Sequence, residues 1–363
     1  MLDHPLTRRV GLALTLCLVL AGCFPPDLPT PLATPPVIDL PAQLTQVATA
    51  QPDPQPAVQA YFTDPDDPAA NRALEEAVAA SLDGARETIE MAMYNFSLDS
   101  AGEALLRAIQ RGVRVRVVLD SDAMDGRWAA RLKDGGAEVL GDRRETLMHN
   151  KFILIDGLAV WTGSLNLTTS GLNEDENNFV LLRSTDAAAD YTRVFDQMFD
   201  KDRFSIDRPA GTPHPVVSLD GARARILFSP EDRPAADLTE LIQSADRSIE
   251  VLAYNLTLDD LAAALIAREK AGVRVRILMD AGQSDAQGGE YQKLRQAGLD
   301  VRLYGGQGLM HHKVIIVDGR TVAFGSLNFT RSADRNNDEN VVILEDSLVA
   351  AQFQAAFERI ARR

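Results

Sequence analysis

His149-Asn-Lys-Phe-Ile-Leu-Ile-Asp156 and His311-His-Lys-Val-Ile-Ile-Val-Asp318 are one eight-residue phrase written twice, 162 residues apart. Each starts on a histidine, sets a lysine two places on, runs through an apolar stretch and ends on an aspartate followed by glycine. The likeness extends upstream. Thr88-Ile-Glu-Met-Ala-Met-Tyr-Asn-Phe-Ser-Leu98 matches Ser248-Ile-Glu-Val-Leu-Ala-Tyr-Asn-Leu-Thr-Leu258, and Gly112-Val-Arg-Val-Arg-Val-Val-Leu-Asp120 matches Gly272-Val-Arg-Val-Arg-Ile-Leu-Met-Asp280, both at an offset of 160. The offset grows by two between these blocks and the histidines, so a loop has gained two residues. A period this long, kept across several blocks, means a duplicated unit rather than two unrelated domains.

Within each unit, short Val- and Ile-rich runs alternate with amphipathic stretches, which predicts an α/β fold with helices covering a sheet. Ser100-Ala-Gly-Glu103 has capping-box spacing and predicts a helix reaching Gln110. Residues 113–119 read as a buried strand, 127–135 as a helix and 137–140 as a strand. Residues 152–155 and 159–162 flank Asp156-Gly157 and read as a hairpin closed by an Asp-Gly turn; Asp318-Gly319 repeats it. Residues 179–182 and 341–344 are late strands, each followed by a helix that closes its half.

The chain has 363 residues, 45% hydrophobic and 25% charged, enough to bury a sizeable core and incompatible with wholesale disorder. Its formal charge of −15 argues against broad adhesion to nucleic acid or anionic lipid. Arg8 and Arg9 precede a 12-residue apolar run, Val10 to Ala21, too short to span a bilayer, and the exit reads Leu20-Ala21-Gly22-Cys23. This is the pattern of a signal peptide over residues 1–22, and its end resembles a bacterial lipobox, which implies lipidation of Cys23 and an extracytoplasmic, lipid-anchored protein of the cell envelope. Cleavage there would take the charge from −15 to −16, since it removes two basic residues and one acidic one. Cys17 would leave with the signal, so no disulfide or cysteine-based zinc site is expected. Residues 23–59 are rich in proline and read as an extended spacer. The first half is placed at 60–210 and the second at 220–363.

Chemistry concentrates in the repeated phrase. On an extended strand, residues i and i+2 share a face, so His149 with Lys151, and His311 with Lys313, are expected to look into one pocket. Gly163-Ser-Leu-Asn166 and Gly325-Ser-Leu-Asn328 follow. Their Gly-Ser pairs allow close backbone approach, and Asn166 and Asn328 add neutral donors. Identity here, where the surroundings have drifted, marks a shared phosphate site. Two lysines with two amides can supply the field that offsets a phosphodiester's negative oxygens, and two histidines can divide the work, one attacking phosphorus while the other protonates the departing alcohol and then activates water.

The pattern His-x-Lys-x4-Asp-x6-Gly-Ser-x-Asn, present twice, resembles that of the phospholipase D superfamily over roughly residues 60–363. The resemblance implies a duplicated α/β sandwich of two pseudo-twofold-related halves, each with a core sheet flanked by helices. It also implies one active site at their interface, a phosphohistidine intermediate, and no metal or other cofactor. Because each half supplies the other's partner, a monomer without an obligate protein partner is expected.

Asp156 and Asp318 suit turn formation or a contact to a nearby lysine or amide better than catalysis. Similar family members place a histidine-orienting carboxylate where Glu339 lies, 28 residues after His311. The matching position after His149 is Asn177, with Glu176 beside it as a substitute carboxylate. Glu339 is therefore expected to favour a protonated His311 as acid/base, leaving His149, beside Asn177, as the nucleophile. Ser164 and Ser326 are taken as supporting residues. His312 should point away from the pocket. Asn95 and Asn255, after Tyr94 and Tyr254, read as helix starts or pocket rim; Trp161 reads as packing. Arg143, Arg144, Arg331 and Arg335 read as outer substrate contacts or solvated surface. Three functions fit: a phospholipase D acting on phospholipid beside its own membrane, a nuclease of the same fold, and a binding lipoprotein without catalysis. The intact His, Lys and Asn set disfavours the last. The acidic charge, 6% aromatic content and absence of a basic run favour lipid.

Overall fold

The computed structural model describes residues 55–363, so the signal peptide, Cys23 and nearly all of the 23–59 spacer lie outside the described residues. The first half runs β1 (Val58–Phe62), α1 (Pro68–Gly84), β2 (Thr88–Met93), α2 (Asp99–Gln110), β3 (Arg114–Leu119), α3 (Arg127–Gly135), β4 (Glu138–Gly141), β5 (Lys151–Ile155), β6 (Ala159–Gly163), α4 (Thr169–Asn173), β7 (Asn178–Arg183) and α5 (Thr185–Phe199). The second runs β8 (Val217–Leu219), β9 (Ala222–Ser229), α6 (Pro234–Gln243), β10 (Ser248–Ala253), α7 (Asp259–Lys270), β11 (Arg274–Met279), α8 (Tyr291–Gln296), β12 (Asp300–Leu303), β13 (Lys313–Val317), β14 (Thr321–Gly325), α9 (Arg331–Arg335), β15 (Glu339–Glu345) and α10 (Ser347–Ile360).

The duplication is visible in the strand order. One sheet is β4-β3-β2-β5-β6-β7-β1 and the other β12-β11-β10-β13-β14-β15-β9, extended at its edge by β8. In both, the two crossover units are parallel and the hairpin strands antiparallel. Each hairpin turns where the sequence places it. Asp156 and Gly157 sit at φ 53° and 64°, Asp318 and Gly319 at 56° and 63°, the left-handed region that Asp tolerates and Gly favours. Asp156 also accepts backbone N–H bonds from Arg86, Glu87 and Thr88, and Asp318 from Asp246, Arg247 and Ser248. Both carboxylates thus tie the hairpin to the start of the central strand.

Helix α2 begins at Asp99 and ends at Gln110, but without the capping box. Ser97 and Leu98 give their N–H groups to Leu167 O, which pins the chain before the helix, so Leu98 is the N-cap and Ser100 Oγ is left unpartnered. Asn95 and Asn255 therefore cap no helix; α2 and α7 start four residues beyond them.

Burial divides into three layers. Helices α1–α3 cover the outer face of the first sheet and α6–α8 that of the second. Between the sheets, Phe152, Val160, Val180, Tyr191 and Phe195 join Val314, Ile316, Val322, Phe324 and Phe353 in one apolar cluster, with α5 and α10 packed into it. Trp161 is buried on the outer side, stacked on Phe179 with ring centres 5.3 Å apart. This shared core fixes the two sheets against each other, so the ends of β5 and β13 meet at one place.

Candidate active site

His149 and His311 each sit two residues before the start of a hairpin strand, and each is clamped by the other half. His149 N–H bonds Asp338 O at 3.0 Å, and His311 N–H bonds Glu176 O at 2.9 Å. From their own halves, Asp120 and Asp280 accept the N–H groups of Met148 and Met310, at 3.1 and 2.9 Å. Both histidines are nearly buried, 6 and 7% exposed, and Lys151 and Lys313 are more so, at 0 and 2%. Lys151 Nζ donates to His149 O at 2.7 Å and Lys313 Nζ to His311 O at 2.6 Å, which uses one ammonium proton and leaves two for a ligand.

The imidazole partners cross between the halves. Glu339 Oε2 accepts from His149 Nδ1 at 2.7 Å, whereas His311 Nδ1 faces Asn177 Oδ1 at 2.9 Å. This corrects the expectation that each histidine is oriented from its own half. The cause is tertiary: the backbone of Asp338 bridges Met148, and that of Glu176 bridges Met310, so the following residue lands on the opposite histidine. Ser326 Oγ donates to Glu339 Oε2 at 2.7 Å, and Ser164 Oγ to Asn177 Oδ1 at 2.9 Å. The Asn177 amide is oriented by its Nδ2–H bond to Gly171 O, 2.9 Å, which turns the acceptor toward His311. Both imidazoles are therefore held with Nδ1 as donor and Nε2 free.

Gly163 and Gly325 make this approach possible, since a Cβ at either would collide with the carbonyl oxygen of Asn178 or Asn340. Asn166 and Asn328 are half-buried, each with an unpartnered buried Oδ1. Glu176 orients no histidine. Its carboxylate is buried against Arg359, 2.7 Å away, and Arg363, near the end of the chain. Its repeat counterpart Asp338 is buried against Arg208 and the Ser205 N–H. These arginines lie outside the repeated blocks and carried no sequence signal.

Tyr94 and Tyr254, more than the asparagines after them, belong to the site. Each ring lies edge-on to a histidine, Tyr94 to His149 and Tyr254 to His311, with centres 4.8 Å apart in both cases. Lys151 Nζ is 5.0 Å from the centre of the Tyr94 ring and Lys313 Nζ 4.8 Å from that of Tyr254. His312 is fully buried on the opposite side of its chain, its Nδ1 2.9 Å from Asn178 Nδ2. Arg143 and Arg144 are engaged with Asp202, while Arg331 and Arg335 are exposed. Among the described residues, no group of three or more His, Cys, Asp or Glu side chains is arranged to hold a metal ion.

Burial sets the protonation. It pushes His149 and His311 well below the ordinary histidine value, and the two lysines push the same way. Burial also lowers Lys151 to about 7 and raises Glu339 to about 8. A buried ammonium that loses its proton near neutrality no longer binds an anion. For any phosphate ligand, kcat/KM should therefore fall as pH rises through about 7, rather than near 10.5, while the acid-side loss, set by the histidine that must attack as a free base, lies well below pH 6.5. A pH profile of kcat/KM checks this, and a flat profile to pH 9.5 contradicts it.

Residues 78–199 and 238–361 match the family described as "Cardiolipin synthase, PLD-like domain", once in each half. The chain belongs to the phospholipase D superfamily. Among its relatives are a mitochondrial cardiolipin hydrolase of Chlamydomonas reinhardtii, 39% identical over 33% of this chain and 54% of that one, and a phospholipase D of Rickettsia prowazekii, 30% identical over 48% of this chain and 86% of that one. The chain thus spans only about half the length of the first. The phosphatidylserine synthase of Haemophilus influenzae has the same fold, with a TM-score of 0.63 at 14% identity over 84% of this chain and 86% of that one. In this phospholipase D superfamily member the two matched segments carry His149 and His311 respectively, the two ends of the crossed pair.

Proposed function

We propose that the protein is a metal-independent phosphodiesterase of phospholipase D type. It hydrolyses phospholipids to phosphatidate and a head-group alcohol through a phosphohistidine. The observation that carries this reading is the crossed pair: two imidazoles with free Nε2 atoms beside two buried lysines, one backed by a carboxylate and one by an amide.

The difference in backing divides the work. In the first step the arriving anion raises the His311 pKa, so His311 takes up a solvent proton on Nε2; His149 Nε2 then attacks phosphorus, the P–O bond to the head group breaks, and His311 gives that proton to the departing oxygen. An N-phosphorylated imidazole keeping Nδ1–H is a cation; it draws Glu339, raised to about 8 by burial in the resting site, into its charged form, and the carboxylate stabilises the cation through the bond to Nδ1. Asn177 is neutral, so His311 changes charge without a fixed counter-ion and stays willing to release its proton. In the second step His311 takes a proton from water, whose oxygen attacks the phosphohistidine and frees His149. The Lys151 and Lys313 ammoniums face the non-bridging oxygens; the arriving anion raises the pKa of both lysines and of His311, reversing the effect of burial. His149 thus remains the nucleophile and His311 the acid/base, for a different reason from the one the sequence suggested.

Lipid as substrate is supported by the relatives named as phospholipase D and cardiolipin hydrolase. The Cys23 anchor is part of the same proposal and rests on the sequence Leu20-Ala21-Gly22-Cys23. The full chain should release head group from phospholipid vesicles in EDTA and leave single- and double-stranded DNA intact. Cleavage of DNA without lipid turnover would replace this reading with a nuclease.

A further inference from the structure

The two sides of the site share their machinery but not their rims. At an offset of 160, the turn after β3, Ser121-Asp122-Ala123, corresponds to Ala281-Gly282-Gln283 after β11. Both turns hang on the same device, an aspartate accepting N–H bonds from the turn and from the residue before the histidine. Beside His149 the third turn position is Ala123. Beside His311 it is Gln283, whose Nε2 donates to Tyr254 Oη at 3.3 Å and whose Oε1 accepts from Asn255 Nδ2 at 3.4 Å. Asn255 Oδ1 is buried without a partner, and Tyr254 is the ring lying edge-on to His311. One side of the site therefore carries a chain of uncharged donors and acceptors that the other lacks.

We infer that Gln283, with Asn255 and Tyr254, forms the subsite for the departing alcohol and selects an uncharged, hydroxyl-bearing head group of glycerol type. This rests on the reading of the protein as a phospholipase D with His311 as proton donor, because the donor must lie on the side from which the alcohol leaves. Long amide contacts of 3.3 and 3.4 Å are ones that a hydroxyl improves on by inserting between them, and the orphaned Asn255 Oδ1 accepts its proton. A quaternary ammonium head group fits poorly. The aromatic face that would attract it already holds the Lys313 ammonium, 4.8 Å from the ring centre, and a second cation there meets like charge.

The test compares the full chain with Gln283→Ala, which copies the first-half residue, and Ala123→Gln, which makes the reciprocal change. Each is assayed on phosphatidylglycerol vesicles, phosphatidylcholine vesicles and bis(p-nitrophenyl) phosphate. Gln283→Ala should lower kcat/KM on phosphatidylglycerol by roughly five- to tenfold, the worth of one neutral hydrogen bond, and leave the other two substrates within about twofold. Ala123→Gln should change none of the three. An equal loss on all three substrates by Gln283→Ala assigns it a structural role and overturns the inference, as does an unaltered preference between the two lipids. In those cases phospholipid is still turned over and the broader reading stands. A wild-type chain that cleaves DNA and no phospholipid overturns both.

Discussion

A His149→Ala variant is expected to lose turnover by about 10⁴-fold or more on every phosphodiester, however good its leaving group, because no covalent intermediate can form. The generality of the loss is the informative part. A residue that only bound substrate would raise KM and spare kcat at saturation, and one that only donated a proton would be dispensable for an activated leaving group. Glu339→Gln tests the partner of the same histidine. The glutamine keeps an oxygen for His149 Nδ1–H and for Ser326 Oγ–H, contacts now 2.7 Å each, but removes the charge that stabilises the phosphorylated imidazole. A smaller fall in kcat, about 10²-fold, is expected with KM little changed. Rapid acid quench after mixing with ³²P-labelled substrate, followed by peptide mapping, reads the assignment directly. Label on the peptide containing His149, absent from His149→Ala, is the expected result; label on the peptide containing His311 would reverse the roles.

Much of this architecture is legible in the sequence because it was written twice. Two histidines, two lysines and two asparagines stand out against drifted surroundings, and the 160-residue period fixes the paired sheets before any strand is placed. Hairpin positions follow from Asp156-Gly157 and Asp318-Gly319, since few residues accept positive φ at adjacent positions. Periodicity fails where contacts run between the copies. Glu339 follows His311 in the chain and serves His149 in space, and nothing within one repeat reveals that its strand begins against Met148 of the other half. The same blindness hid Arg208, Arg359 and Arg363. They come from the connector between the halves and from the chain's last helix and terminus, yet grip the carboxylates next to the imidazole partners. Tyr94 and Tyr254 recur in the repeat, but a tyrosine at a strand end carries no mark in sequence of edge-on contact with a histidine. Ser100 failed for a local reason: its spacing satisfied the capping pattern while the backbone of Ser97 and Leu98 was already committed to Leu167.

Replacing His311 by alanine should separate the two chemical steps. On phospholipids, whose departing alkoxide needs a proton, turnover is expected to fall by about 10³- to 10⁴-fold. On bis(p-nitrophenyl) phosphate the leaving group departs as a stable anion, so the first step loses its need for the acid and a burst of p-nitrophenol close to one equivalent of enzyme should appear. The second step still lacks a base to activate water, so the phosphoenzyme accumulates and steady-state release stays slow. The contrast depends on the crossed partners. Asn177 fixes the His311 tautomer without a charge, through an acceptor set by its own bonds to Ser164 Oγ and Gly171 O, so removing His311 strands no buried carboxylate and the His149–Glu339 pair stays intact. Removing His149 instead leaves the Glu339 carboxylate buried with one fewer partner, and its pKa, already about 8, should rise further. The two alanine variants are therefore unequal: a burst without turnover from His311→Ala, and neither burst nor turnover from His149→Ala. Bursts from both would mean that either histidine can attack phosphorus, and the carboxylate–amide asymmetry would then have no catalytic consequence.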